Sequence, residues 1–127
     1  MSADEIPVAE CWDLLRTVTI GRLALSMGAL PAILPVQFHV DGAELAVCLG
    51  HQTVAERNIN EVIVALAADH ISSDMTGWSI QVQGQTRIHR SDGLPLDCGQ
   101  PAGGQLLRLR PATISGARIR LCPISAG

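Results

Sequence analysis

The segment after residue 49 combines a helix-start pattern with side chains suited to holding an anion. Thr53 and Glu56 have the spacing of a capping box, so the sequence predicts a short helix that starts at about Thr53. The free backbone N–H groups and the positive dipole end of such a helix suit a phosphate, and Arg57 follows one turn along. The lip of this site would consist of Gly50, His51, Gln52 and Thr53. An ordinary capped surface helix without a ligand is the alternative, and the spacing leaves both interpretations open.

Several kinds of catalytic group are missing from the sequence. All nine basic residues are arginine, which excludes Schiff-base chemistry on a lysine. No Gly-x-Ser-x-Gly elbow marks a serine nucleophile. The cysteines contain no Cys-x-x-Cys pair and are interpreted as buried free thiols: Cys11, Cys48, Cys98 and Cys122. A haem ligand would have to be one of four histidines at unpatterned positions, which favours ordinary histidines over ligands: His39, His51, His70 and His89.

The N-terminal part of the chain predicts a helix, a strand and a hairpin. "PVAECWDLLR" has the apolar spacing of a short helix, with Pro7 in its first turn and Trp12 in the core, and a strand follows over Val18–Ser26. Asp41-Gly42 between two alternating runs predicts a type I′ turn. Val40 would then face Ala43, and His39 would face Glu44 as an exposed ion pair. The buried face of the hairpin would consist of Val36, Phe38, Val40, Leu45 and Val47.

Two further strands are predicted in the second half of the chain. "EVIVALAADH" is almost continuously apolar, which indicates a central strand with both faces covered. In "TGWSIQVQGQTRIHR" apolar and polar residues alternate from Trp78 onwards, and Gly84 marks a bend or bulge. "QLLRLRPATISGARIRLC" returns to strand-like alternation after a Gly/Pro-rich loop over 91–104.

Length and composition indicate one soluble domain over 1–127. About six strands and two short helices, without a βαβ rhythm, predict a mainly β fold in which an antiparallel sheet closes into a small barrel. The chain has 127 residues, of which 47 % are hydrophobic, but no apolar run long enough for a membrane helix. The N-terminus does not resemble a secretory signal, so we expect a cytoplasmic protein. A net charge of −3 and few aromatic residues argue against a nucleic-acid partner.

The order of three segments resembles a known family. "LLRTVTIGRLAL" is similar to an opening helix and Gly-Arg-Leu strand, "LPVQFHVDG" to a Pro-Val-x-aromatic strand with its hairpin, and "GWSIQVQGQ" to a Gly-Trp-Ser strand. In this order they resemble the pyridoxamine 5′-phosphate oxidase-like proteins, which have a six-stranded antiparallel split β-barrel of the FMN-binding type. The resemblance covers Cys11–Arg90 and, more weakly, Leu106–Ile119.

The resemblance implies a homodimer with FMN or a deazaflavin coenzyme at each of two sites between the subunits. It also implies a flavin- or deazaflavin-dependent oxidoreductase that transfers hydride to or from a small molecule. The cofactor ring would lie along the backbone of Pro35, Val36, Gln37 and Phe38. Trp78 and Ser79 would lie near the dimer interface, and the alternative for Trp78 is packing in the interior. The cofactor phosphate would be held by His51, Gln52, Thr53 and Arg57.

The sequence departs from the family at the phosphate site. Members that bind a flavin phosphate commonly carry an Arg-Thr pair at the strand end and a Ser-Lys pair at the helix start. Val47 and Cys48 stand in the first place, and Gln52 and Thr53 in the second. Arg57, Arg22 or an arginine of a partner subunit would have to supply the missing charge. The alternative is a cofactor-free or weakly binding homodimeric split-barrel module that has lost redox activity.

Overall fold

Six antiparallel strands and one short helix account for the regular structure of the described residues. The computed structural model describes residues 4–49, 59–89 and 105–122. The elements are α1 (Val8–Leu15), β1 (Ile20–Met27), β2 (Leu30–Asp41), β3 (Glu44–Leu49), β4 (Ile63–Ile71), β5 (Thr76–His89) and β6 (Gln105–Arg120). The strands form a closed barrel in the order β1-β2-β3-β6-β5-β4, in which every neighbouring pair is antiparallel. The predicted barrel class is therefore confirmed. The second predicted helix, at Thr53, and the 91–104 loop lie outside the described residues.

The interior of the barrel is filled by alternate residues of all six strands. On β5 the inward residues Trp78, Ile80 and Val82 are buried, and the outward glutamines are exposed, as the alternation predicts: Gln81, Gln83 and Gln85. The register of the β5–β6 pairing shifts between Gln83 and Gly84, which confirms the predicted bulge. No helix in the described ranges is long and apolar enough to cross a membrane.

Helix α1 packs against β6 and β2. Its buried face carries Cys11 and Leu15, whereas Trp12 is only partly buried against the core. Pro7 occupies the N-cap position instead of the first turn. The Glu10 carboxylate accepts a hydrogen bond from Arg118 of β6 at 2.6 Å, which ties the helix to the barrel wall.

The β2–β3 hairpin has the predicted buried face but a different register. Asp41 pairs with Glu44, Val40 with Leu45 and His39 with Ala46, so the turn residues are Gly42 and Ala43. Gly42 has φ of 63°, and only the first central residue has positive φ, as in a type II′ turn. The predicted type I′ turn and the predicted His39–Glu44 ion pair are therefore wrong. The shift preserves the alternation, so Val36, Phe38, Leu45 and Val47 remain inside.

Strand β4 is buried on one face only. Val64, Leu66 and Ala68 point into the core, whereas Ile63 on the outer face is 71 % exposed. The prediction that both faces are covered is not met by the described part of this chain. Strand β1 also starts and ends later than predicted, over Ile20–Met27 instead of Val18–Ser26.

The three described cysteines have different environments. Cys11 is a buried free thiol, Cys122 is an exposed free thiol, and Cys48 is disulfide-bonded. The prediction of buried free thiols is therefore correct for Cys11 and wrong for Cys48 and Cys122. Burial, assisted by the charge of Glu10, raises the pKa of the Cys11 thiol.

Because the thiolate is the reactive form, Cys11 is expected to resist alkylation in the folded protein. At neutral pH its raised pKa keeps it protonated, and its burial excludes the reagent. Peptide mapping after treatment with iodoacetamide should show Cys122 modified at least about tenfold faster than Cys11. In urea both thiols should react at similar rates. Equal rates in the folded protein would contradict the placement of Cys11 in the core.

Candidate functional site

The outer face of strands β1, β2 and β4 brings together part of the residues that the sequence singled out. Alternation turns Leu23 of β1 and Leu66 of β4 into the core, and their neighbours therefore point outward. We refer to this surface as the β1 face. Its outward side chains are Ile20, Arg22, Ala24, Ile33, Pro35, Gln37, Ile63, Ala65 and Ala67.

The strand register aligns the β1 face in rows across the barrel. Arg22 lies between Pro35 of β2 and Ala67 of β4. In the adjacent row Ala24 lies between Ile33 and Ala65. Apart from Arg22 and Ile33, these rows carry alanine and proline, whose side chains project little from a sheet, so a low apolar floor lies beside Arg22. Such a surface is suited to a planar ring system.

The four predicted ring-contacting residues of β2 divide between the two faces of the strand. Pro35 and Gln37 are exposed on the β1 face, whereas Val36 and Phe38 are 5 % and 2 % exposed inside the barrel. Of these four residues, only Pro35 and Gln37 can therefore offer their side chains to a ligand on the β1 face. Val36 and Phe38 could contribute backbone, and their side chains support the floor from within.

Trp78 and Ser79 lie on β5, on opposite faces of the strand. The Trp78 ring is 7 % exposed and belongs to the core cluster, which corresponds to the interior alternative for this residue. Ser79 points outward between Asp69 of β4 and Ala117 of β6. Strands β1 and β4 separate β5 from β2, a path of roughly 14 Å at the usual strand spacing. Within one subunit the predicted contacts at Pro35 and Ser79 are therefore not adjacent.

Arg22 is the cation that the β1 face supplies. It is the one arginine among the outward residues of β1, β2 and β4, and its side chain is exposed. No carboxylate of the described residues forms an ion pair with it. The sequence offers Arg22 only as one of several arginines that could replace the missing charge. Its position beside Pro35 depends on the β1–β2 register, which is a long-range feature.

The predicted phosphate segment cannot be placed. His51, Gln52, Thr53 and Arg57 lie outside the described residues. The chain enters this segment from the end of β3 at Leu49, one residue past the pairing of Cys48 with Gln37. The end of β3 therefore lies beside Gln37 of β2. The two positions where the family carries Arg-Thr are buried, since Val47 is 0 % and Cys48 is 7 % exposed.

The two histidines whose side chains are described lie on different strands, β2 and β4. His39 is half-buried on β2, and His70 is exposed near the end of β4, where it pairs with Trp78. No group of three metal-ligating side chains occurs in residues 4–49, 59–89 and 105–122. The side chains of His51 and His89 lie outside what the structure describes.

The turn between β4 and β5 contains Asp74, which like Cys11 has a shifted pKa. The Asp74 carboxylate accepts hydrogen bonds from the Thr76 hydroxyl at 2.6 Å and the Thr76 backbone N–H at 3.0 Å. These bonds stabilise the charged form and lower the pKa of Asp74. Neither Asp74 nor Cys11 belongs to the strands that form the β1 face.

Comparison with known proteins agrees with the resemblance seen in the sequence. The sequence model of a family described as pyridoxamine 5′-phosphate oxidase matches residues 7–93. The solved FAD binding protein from Mycobacterium smegmatis is similar with a TM-score of 0.75 and 25 % identity, covering 94 % of this chain and 99 % of that chain. The FAD and heme binding protein from the same organism has a TM-score of 0.68 and 18 % identity, covering 94 % of this chain and 75 % of that chain.

A third solved structure has the same fold at lower identity. The flavocytochrome Anf3 from Azotobacter vinelandii has a TM-score of 0.68 and 10 % identity, covering 95 % of this chain and 72 % of that chain. None of the curated proteins matches the chain. The family model spans more than half of the sequence, including α1 and the first five strands. The chain belongs to the pyridoxamine 5′-phosphate oxidase family.

Proposed function

We propose that the protein is a flavin- or deazaflavin-dependent oxidoreductase that transfers hydride to or from a small molecule. The cofactor lies on the β1 face, and a second copy of the chain closes the site. The observation that carries this proposal is the exposed Arg22, which has no ion-pair partner among the described residues and lies beside Pro35 on an apolar floor. Membership of the family and the FAD-binding relative from Mycobacterium smegmatis support a flavin in general.

The residues of the β1 face fit a flavin. Ala24, Ala65 and Ala67 leave room for a flat ring above the sheet. Gln37 is an exposed amide on the strand along which the ring is expected, and it can both donate and accept hydrogen bonds at the polar edge of a ring. Arg22 can donate two parallel hydrogen bonds to an oxygen-bearing group. The bound cofactor supplies the hydride chemistry, and these side chains bind and orient it.

Exposed apolar side chains on the β1 face support a homodimer. Ile20, Ile33 and Ile63 are 61 %, 67 % and 71 % exposed. They lie around the low floor of alanines, so a largely apolar surface that also includes Arg22 and Gln37 faces solvent in the single chain. Surfaces of this kind commonly mark interaction sites. A second copy that covers the isoleucines would exclude water from a ring held over Ala24 and Ala67, and it would bring further side chains to the site.

A charge-removing substitution at Arg22 tests the proposed cofactor site. A hydrogen bond to a charged group contributes about 1.5 to 3 kcal/mol, so Arg22→Gln is expected to raise the dissociation constant of the bound flavin by at least about tenfold. Arg16→Gln is the matched control, because Arg16 is an exposed arginine just after α1 whose one ion-pair partner among the described residues is Asp13. Fluorescence titration of both variants makes the comparison. Equal affinity in wild type and Arg22→Gln would remove Arg22 from the site.

A cofactor-free homodimeric module is the second candidate. It is favoured by the burial of Val47 and by the disulfide at Cys48, because neither position can present a cation to a phosphate. Under this alternative the isoleucines of the β1 face are still buried in a dimer, but Arg22→Gln changes no affinity because no cofactor binds. Size measurement by light scattering gives a dimer in both cases. Only cofactor titration separates the two candidates.

A further inference from the structure

A polar cleft lies on the side of the barrel opposite the β1 face. Strand β6 is three places from β1 in either direction around the six-stranded ring. The cleft lies on the outer surface of β5 and β6, and its volume is about 160 Å³. Among the described residues, its charged lining consists of Arg87, Arg108, Arg110, Glu44 and Glu61. The proposed cofactor site uses none of these residues.

Three arginines converge on the cleft because of the β5–β6 register. Arg87 and Arg108 are directly opposite each other on the two strands. Both point outward, since Thr86 and Leu107 are buried on the inner face. Arg110 follows two residues later on β6 and therefore shares their face. Like charges that are directly opposite in a sheet destabilise it, so this arrangement favours an anion between the guanidinium groups.

Among the described carboxylates, those that form ion pairs with these arginines lie on one side of them, and Glu61 lines the cleft without forming an ion pair. Asp41 accepts a hydrogen bond from Arg108 at 2.8 Å, and Glu44 lies 3.5 Å from Arg108 and 3.6 Å from Arg110. Both acids belong to the β2–β3 hairpin. On the β5 side, Arg87 makes no ion pair with any described residue.

Two of the three guanidinium groups keep their hydrogen-bond donors available. Neither Arg87 nor Arg110 donates a side-chain hydrogen bond to another described residue. The Arg110 side chain is 78 % exposed, and its only described charged partner is Glu44 at 3.6 Å. A guanidinium group offers two parallel N–H donors that match the oxygens of an oxyanion.

We infer that this cleft binds a phosphate-class oxyanion, either inorganic phosphate or the phosphate of a small monoester. A tetrahedral oxyanion has enough oxygens to accept hydrogen bonds from Arg87 and Arg110 together, and its charge offsets the Arg87–Arg108 repulsion. A volume of about 160 Å³ suits one small anion and not a nucleotide. Because Glu44 and Glu61 also line the cleft, the affinity is modest, with a dissociation constant of about 1 mM.

Arginine side-chain NMR tests this inference on the flavin-free protein. Inorganic phosphate is titrated into 15N-labelled protein while the Nε–Hε signals of Arg87 and Arg110 are followed, with sodium chloride at matched ionic strength as the reference. The signals are assigned by their loss in Arg87→Gln and Arg110→Gln. Saturable shifts with phosphate that chloride does not produce are expected. The dissociation constant should rise at least tenfold in Arg87→Gln and stay unchanged in Arg16→Gln.

Further titrations distinguish the sources of the anion and the two sites. Glycerol phosphate that binds more tightly than inorganic phosphate identifies a monoester as the ligand, and the reverse order identifies the free anion. Shifts that do not saturate, or that chloride reproduces, would overturn the inference. So would phosphate binding that survives Arg87→Gln and disappears in Arg22→Gln, because that result would assign the phosphate to the β1 face. Since flavin is absent throughout, failure here leaves the proposed function unaffected.

Discussion

Gly84→Ala is expected to destabilise the barrel by about 3 kcal/mol or more, because the added methyl group has no room. A Cβ at this position would overlap the backbone carbonyl group of Arg110 and meet the Cα of Pro111 at 2.9 Å. These are main-chain atoms of the neighbouring strand, held in the pairing of β5 with β6, and cannot move aside as a side chain can. Gly84 also lies at the bulge, where the register of this pairing shifts.

Urea denaturation followed by circular dichroism measures the effect of this substitution. Gly28→Ala is the matched control, since Gly28 has φ of 65° and nothing within 4 Å of an added Cβ. The control should cost only the left-handed backbone penalty of roughly 1 to 2 kcal/mol. If Gly84→Ala unfolds at the same urea concentration as Gly28→Ala, that result would contradict the close approach of the β6 backbone to Gly84.

Thr86→Val is also expected to have a large effect, lowering the free energy of unfolding by about 2 to 4 kcal/mol. Thr86 is the one buried polar residue among those described, at 1 % exposure. Its hydroxyl donates to the Ile59 carbonyl at 2.5 Å and accepts from the Val62 N–H at 3.1 Å. Valine has nearly the same shape but leaves both backbone groups without a partner. Residues 59–62 would keep their backbone hydrogen bonds to Thr86 but lose the bonds that the hydroxyl makes with Ile59 and Val62.

Thr113→Val provides the comparison for Thr86→Val. The Thr113 hydroxyl also donates a hydrogen bond, to Gln83 at 3.1 Å, but the contact is exposed to solvent. Substitutions at such surface positions usually change stability by no more than about 0.5 kcal/mol. Comparing the urea unfolding curves of the two variants therefore tests the prediction. A Thr86→Val protein as stable as Thr113→Val would show that the hydroxyl does not hold residues 59–62 in place.

Local alternation predicted the inward and outward faces correctly, but a long-range contact decides the hairpin register. The Asp41-Gly42 dipeptide predicts a turn centred on those two residues, whereas Asp41 actually pairs with Glu44 across the turn. Two carboxylates placed opposite each other repel. Arg108 of β6 lies within 2.8 Å of Asp41 and 3.5 Å of Glu44 and offsets that repulsion. Nothing in the hairpin sequence itself reveals this arginine.

The candidate site depends on the same kind of long-range information. Pro35 and Gln37 could be assigned to one face of β2 from the sequence, and the Gly-Arg-Leu motif pointed to the strand that carries Arg22. These residues share a surface with Ala67 only because β4 pairs with β1. The two strands are separated in the chain by the β2–β3 hairpin. The continuous apolar run of β4 predicted full burial. In the single chain the outer side of β4 is instead only partly buried and forms part of the β1 face.

Trp78 shows how the same residue supports different interpretations before and after the fold is known. Its position at the start of an alternating strand suits either an interface or the core. In the barrel it is 7 % exposed and packs inside, while Ser79 takes the outward position. A large ring at this point fills the interior between inward residues of neighbouring strands. Its predicted place at a dimer interface stays a prediction for the assembled protein.

Direct titration is the best test of whether the β1 face binds a flavin-type cofactor. The purified protein is titrated with FMN, FAD and a deazaflavin coenzyme in separate experiments, following the quenching of each cofactor's own fluorescence. Saturation with one cofactor in the micromolar range, at one molecule per subunit, is the predicted result and identifies the cofactor. No binding of any of the three at hundreds of micromolar would contradict the claim and leave the cofactor-free module as the function.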